Sequence, residues 1–217
     1  MDNMIYILFV SVGIPLLLMA LLVEKKARLP IAFMLTGIFV SVLSSEVNGL
    51  LSQLLSMDMY NITVIVTPVT EEIFKALPIF YYAVVISDKR ERLFTAAMAL
   101  GIGFALLENA YFLLNRDNFG MLQAVIRAFG AGLMHGMCTL LVGVGISFVK
   151  KKSKLFAVGT FGLLSTAIVY HGIYNILIQS DFSIVGALLP IATYIPFLIW
   201  RLRIKYKQKL NETNKSK

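Results

Sequence analysis

Residues 4–23 read MIYILFVSVGIPLLLMALLV, an uninterrupted stretch without one charged side chain. A helix needs about 20 apolar residues to cross the hydrocarbon of a bilayer, so this run alone points to a membrane span. No cationic region precedes it and no small-residue cleavage site follows it, so a retained span is expected rather than a removed signal peptide. Outward from it, six further apolar runs follow at roughly 30–55, 60–86, 93–115, 121–149, 155–178 and 183–202. Several exceed the minimum length, which calls for tilts, kinks or partial re-entry. The chain of 217 residues is 58% hydrophobic and 15% charged, against about 45–50% and 25% in soluble proteins. Disorder, a collagen-like fibre and a soluble enzyme are excluded. The fold expected is all-α, a polytopic membrane helix bundle of about seven transmembrane helices. The single cysteine, Cys138, excludes a disulfide framework and a multi-cysteine zinc site.

The net charge of +8 is distributed by loop. Lys25, Lys26 and Arg28 separate the first two runs, and Lys89, Arg90 and Arg92 the third and fourth. Lys150, Lys151, Lys152 and Lys154 separate the fifth and sixth. The tail carries Arg201, Arg203, Lys205, Lys207, Lys209, Lys215 and Lys217. The alternate loops hold only Arg116. Cytoplasmic loops concentrate Lys and Arg, so the N-terminus is expected outside and the C-terminus in the cytoplasm. Residues 1–203 read as one integral-membrane domain and 204–217 as a basic cytoplasmic tail that can touch anionic lipid. The charge is thereby explained without nucleic acid. The localisation expected is a multi-pass protein of a cell membrane, the bacterial plasma membrane first.

Away from the ends and loops, five charged residues stand out inside the third to fifth runs: Glu71, Glu72, Lys75, Glu108 and Arg127, with both histidines of the chain, His135 and His171. A charge at mid-membrane costs about 2.5–3.5 kcal/mol, so these groups must face one another or a wet cavity, the usual mark of a functional site. In Thr67-Pro-Val-Thr-Glu-Glu-Ile-Phe-Lys-Ala-Leu-Pro78, Glu71 and Lys75 are one helical turn apart and can pair. Glu72 points about 100° away, which aims the adjacent carboxylates at different partners. Pro68 and Pro78 bracket the motif and can bend the helix. The bland alternative is two structural ion pairs, Glu71 with Lys75 and Glu72 with Arg127. In the fourth run Phe104 and Glu108 share a face, Asn109 adjoins Glu108, and Gly101 and Gly103 permit close helix approach. Gly132 and Gly136 flank His135 at small-xxx-small spacing. His171 and Asn175 share a face, so the amide can orient a histidine or a substrate. On a straight-helix scale Glu108 and His171 lie roughly 10 Å from the outer end, and Glu71 and His135 roughly 16–21 Å. Glu46 and Asn48 read as interfacial or packing groups.

Acid, imidazole and amide groups in a membrane cavity suit hydrolysis, in which a base activates water and donors hold the oxyanion. They also suit a metal site or a proton relay. No His-Glu-x-x-His, Gly-x-Gly-Asp or Gly-x-Ser-Gly motif is present, which argues against zincin, aspartyl and rhomboid-type sites. The set Glu71-Glu72-x-x-Lys75, Phe104-x-x-x-Glu108-Asn109, His135 and His171-x-x-x-Asn175 resembles the motifs of PrsW-family intramembrane proteases. More distantly it is similar to the type II CAAX prenyl endopeptidase and bacteriocin-immunity superfamily. In the CAAX branch the second motif ends in His, whereas here it ends in Glu108, which favours PrsW. The resemblance implies an endopeptidase that makes the first cut in a single-span anti-sigma factor, with Glu71, Glu72 and His171 essential. The expected catalytic set is Glu71, Glu72, Glu108, His135 and His171, supported by Lys75, Phe104, Asn109, Arg127 and Asn175. A divalent metal such as zinc is an open cofactor, with Glu72, Glu108, His135 and His171 as candidate ligands. A non-catalytic immunity or scaffold protein, a CAAX-like prenyl-protein endopeptidase and a proton-coupled transporter are the alternatives. The partners expected are a single-span membrane protein substrate and the lipid bilayer.

Overall fold

The computed structural model describes residues 4–115, 120–149 and 153–215. Arg116, Lys150, Lys151, Lys152 and Lys217, which enter the charge pattern, lie outside them. The described residues form seven helices and no strand. They are α1 (Met4–Leu22), α2 (Lys25–Leu55), α3 (59–86), α4 (Arg90–Leu114), α5 (Met121–Ile146), α6 (Ser153–Ile178) and α7 (Ser183–Lys215). Five of them contain stretches long and apolar enough to cross a membrane: Met4–Leu22, Lys25–Leu55, Arg90–Leu114, Ala124–Ile146 and Phe156–Ile178. Ser183–Pro196 is a shorter apolar stretch. The seven helices match the seven apolar runs, and α7 continues the last run as helix into the basic tail.

Helix α3 carries the double-glutamate motif and is not uniform. A short turn, Met59–Asn61, leads into a π-helical segment, Ile62–Val66. The α-helical stretch Thr67–Tyr81 follows, and a second π-helical segment, Tyr82–Ile86, ends it. Pro68 has no N–H to offer the carbonyl four residues back, that of Val64, and the wider π geometry sits at that point. Pro78 lies within the α-helical stretch, four residues before the second π segment; π turns occur preferentially at functional sites. Asp58 caps the start by accepting hydrogen bonds from the Asn61 backbone N–H at 2.9 Å and from Asn61 Nδ2 at 2.7 Å. These bonds hold its carboxyl below the usual carboxylate range. The cap therefore contributes above that range and is lost as pH falls through the lowered value.

Helix α4 is the axis of the bundle, packed between α2 and α5. Glycines allow the backbones to approach. Gly103 of α4 lies against the backbone of Met34 in α2, and Gly37 of α2 against Leu100 and Phe104 of α4. Gly101 lies against the His135 carbonyl and Gly136 in α5. Two helical positions apart is about 200°, so Gly101 and Gly103 serve neighbours on opposite sides. Of the pair flanking His135, only Gly136 is in close contact; a side chain at Gly132 would meet nothing within 4 Å. We therefore expect Gly101→Ala to lower stability by about 1–3 kcal/mol through overpacking, with Gly132→Ala nearly neutral. Melting temperatures of the two variants in detergent test this, and equal values would contradict the packing.

Candidate functional site

The site grows from the face of α4 that begins at Gly101. Phe104 and Glu108 lie three and seven positions further on, so all three share that face. Gly101 brings α5 close at His135, whose side chain leans back along its helix toward Glu108. The contact is 2.8 Å between His135 Nε2 and Glu108 Oε2. Arg127, two turns earlier on α5, places Nη2 3.3 Å from Glu108 Oε1 and stacks its guanidinium 3.6 Å from the Phe112 ring centroid. The straight-helix depth scale separates Glu108 from His135; side-chain reach closes that gap.

From α3, Lys75 Nζ lies 2.6 Å from Glu72 Oε1 and 2.9 Å from His135 Nδ1. It is fully buried and sits 4.5 Å from the Phe104 ring centroid. The pairing is therefore Lys75 with Glu72, one turn back at i−3, not with Glu71 at i−4. Arg127 pairs with Glu108, not with Glu72. Glu72 Oε1 also lies 2.9 Å from His171 Nδ1 on α6, and Glu71 Oε2 lies 3.9 Å from Nε2 of the same ring. The adjacent carboxylates do diverge, but they diverge around one imidazole. The two histidine rings meet edge to face with centroids 4.9 Å apart. Glu71, Glu72, Glu108, His135 and His171 thus form one continuous cluster running from Arg127 to Glu71.

The protons follow from these contacts. An ammonium only donates, so His135 Nδ1 accepts from Lys75 and Nε2 carries the hydrogen donated to Glu108. Glu72, held against Lys75, accepts from His171 Nδ1–H, which leaves a neutral His171 with its Nε2 lone pair facing Glu71. Glu71 Oε2 is buried and has no hydrogen-bond partner. Two lone-pair donors therefore face each other across 3.9 Å. Three carboxylates face only two cations, Lys75 and Arg127, so a further cation or a proton balances the cluster.

That arrangement fits a cation. One ligand atom each from Glu71, His135 and His171 lies within 4.8 Å of the others. Ligands about 2.0–2.2 Å from one zinc lie within roughly 4.3 Å of one another, so the Glu71–His171 pair already meets the requirement and the third needs a small closure. Two imidazoles and a carboxylate are a common catalytic zinc donor set, with a position left for water. The cluster differs from the ligands expected on sequence. Glu72 and Glu108 stand outside it because they are engaged by Lys75 and His171, and by Arg127 and His135. A carboxylate behind a ligating histidine, as Glu72 stands behind His171, fixes the ring and its tautomer.

The supporting residues divide. Phe104 is buried and its ring lies 4.9 Å from that of His135, packing against the cluster. Asn109 has a buried Oδ1 without a partner. Asn175 does not touch His171; its Nδ2 donates to the Thr63 carbonyl at 2.9 Å and ties α6 to the first π turn. Asn48 and Glu46, read as interfacial or packing groups, both make helix-to-helix bonds: Asn48 accepts a hydrogen bond from Thr70, next to Glu71, and Glu46 accepts one from Tyr6 of α1 at 2.6 Å, away from the site. The signal for the Asn48 bond was a polar side chain in each of two apolar runs.

Membrane-length helices around buried carboxylates and imidazoles, three of which lie close enough to hold a metal ion, place the chain among membrane proteins with a buried polar centre. The chain belongs to the PrsW family of intramembrane metalloproteases, whose family model matches residues 14–201. The family expected from the motifs is thus borne out, and the chain is a multi-pass membrane protein of a peptidase family. Among curated proteins and among solved structures none matches it.

Proposed function

We propose that this protein is a metal-dependent intramembrane endopeptidase that cuts a single-span membrane protein on the extracytoplasmic side of its helix. The observation that carries the reading is the unpartnered Glu71 Oε2 facing His171 Nε2 beside His135. Glu71, His135 and His171 would hold the metal, and a bound divalent ion there would supply Lewis acidity to water or to the peptide carbonyl. Glu72 orients His171. With Oε2 toward the metal, the Glu71 Oε1 would be left to take a proton from the attacking water. Glu108, whose side chain is 33% exposed and is held by the more buried Arg127, suits contact with the unwound substrate backbone.

A transmembrane helix must unwind before its carbonyls can be attacked, and unwinding is least costly near an interface, where water satisfies the freed groups. A cut toward the outer side follows, given the N-terminus-outside orientation that the loop charges support. The family supports an anti-sigma factor as the first substrate to try, in the plasma membrane of a bacterium. Purified protein incubated with single-span candidates in proteoliposomes, with product termini read by mass spectrometry, tests the reading. A primary cut on the cytoplasmic side would overturn it.

The orientation has its own test. Asp58→Cys and Asp181→Cys should react with an impermeant thiol reagent from outside the cell, whereas Lys89→Cys should not. Cys138 is fully buried and should stay silent in all three. The reverse pattern would invert the topology.

A further inference from the structure

Among the described residues Lys75 is the one cation in direct contact with the metal-candidate set. Its ammonium is completely enclosed, by Glu72 Oε1 at 2.6 Å, His135 Nδ1 at 2.9 Å and the Phe104 ring at 4.5 Å. His135 has both nitrogens engaged, Nδ1 by Lys75 and Nε2 by Glu108. It can donate a lone pair to a metal only if one of these contacts opens. The Glu108 side is braced, because Arg127 holds the same carboxylate and is itself stacked on Phe112. The Lys75 side is the weaker one in the presence of a dication, since like charges repel at short range in a buried site. A lysine is also a flexible four-carbon stem, and Lys75 can keep Glu72 while releasing the imidazole.

We infer that Lys75 is the resident cation of this site and competes with the metal for it, holding His135 until a divalent ion displaces the ammonium. The inference rests on the metalloprotease reading given above. It makes Lys75 a residue that sets metal affinity, and it fixes the sign of the effect. Removing a competitor tightens binding. Removing a mere organiser of the ligands weakens it, and removing a bystander leaves it unchanged.

The test is zinc titration of the metal-stripped, purified protein against a competing chelator, comparing wild type with Lys75→Met. The melting temperature of each confirms that it is folded. We expect zinc to bind Lys75→Met at least about tenfold more tightly. Equal or weaker binding by a folded variant would overturn the inference while leaving the peptidase reading intact. A second measurement needs no substitution, because the chain has only two histidines. In ¹⁵N-histidine spectra of the wild type, zinc should move His135 from a hydrogen-bonded neutral ring to a metal-bound one, together with His171. A shift of His171 alone would overturn the inference even if Lys75→Met fails to fold. Absence of zinc binding by wild type and variant alike would overturn both the inference and the metal reading. Cleavage that persists without metal would remove the metal reading by a separate route.

Discussion

Glu71→Gln is expected to lower cleavage by about 10²–10⁴-fold, the range for loss of a positioned acid–base group, while the bundle stays folded. The side chain keeps its volume, and no hydrogen bond is lost at Oε2, which has no partner. Glutamine removes the need for a proton or a cation to balance this carboxyl. The metal-free variant should therefore melt at the same temperature as the metal-free wild type or higher, since no partner is lost. Its zinc affinity should fall, because a neutral amide oxygen replaces an anionic ligand. Cleavage assays and thermal unfolding in detergent read the two effects separately. A folded Glu71→Gln protein with unchanged activity would sink the role given to this carboxylate.

Glu72→Ala should behave differently, losing stability and activity together. Its Oε1 accepts from both Lys75 and His171, and both partners are buried. Truncation leaves the ammonium with only an imidazole lone pair and a ring face. Breaking one side of a buried ion pair costs about 3–5 kcal/mol, so a marked drop in melting temperature is expected. His171 also loses the group that fixes its tautomer, and loss of such a partner lowers metal affinity or activity by about 10–100-fold. The contrast between adjacent residues carries the test. If Glu72→Ala were as stable as wild type, or Glu71→Gln as unstable as Glu72→Ala, the assignment of one carboxylate to structure and the other to chemistry would be reversed or void.

Much of this protein was legible along the chain. Seven apolar runs separate into seven helices because a backbone in hydrocarbon must satisfy its own hydrogen bonds, and that constraint acts on each segment alone. The polar residues inside the runs were likewise marked as a site by the cost of leaving them in lipid. Gly101 and Gly103 predicted close packing on composition alone.

The partners were decided elsewhere. On an isolated helix Lys75 can reach Glu72 at i−3 or Glu71 at i−4 equally well. It takes Glu72, the carboxylate to which His171 of α6 also donates, and His135 of α5 meets the ammonium there. The same choice moves the metal-candidate carboxylate from Glu72 to Glu71. Asn175 shares a face with His171, as its spacing requires, yet it spends its amide on Thr63, because Pro68 and the π turn bring unsatisfied backbone to α6. Helical period settles which residues share a face. Which neighbour fills that face depends on how four helices are brought together by glycine contacts distant in sequence, so the charge pairing within the site belongs to the tertiary structure alone.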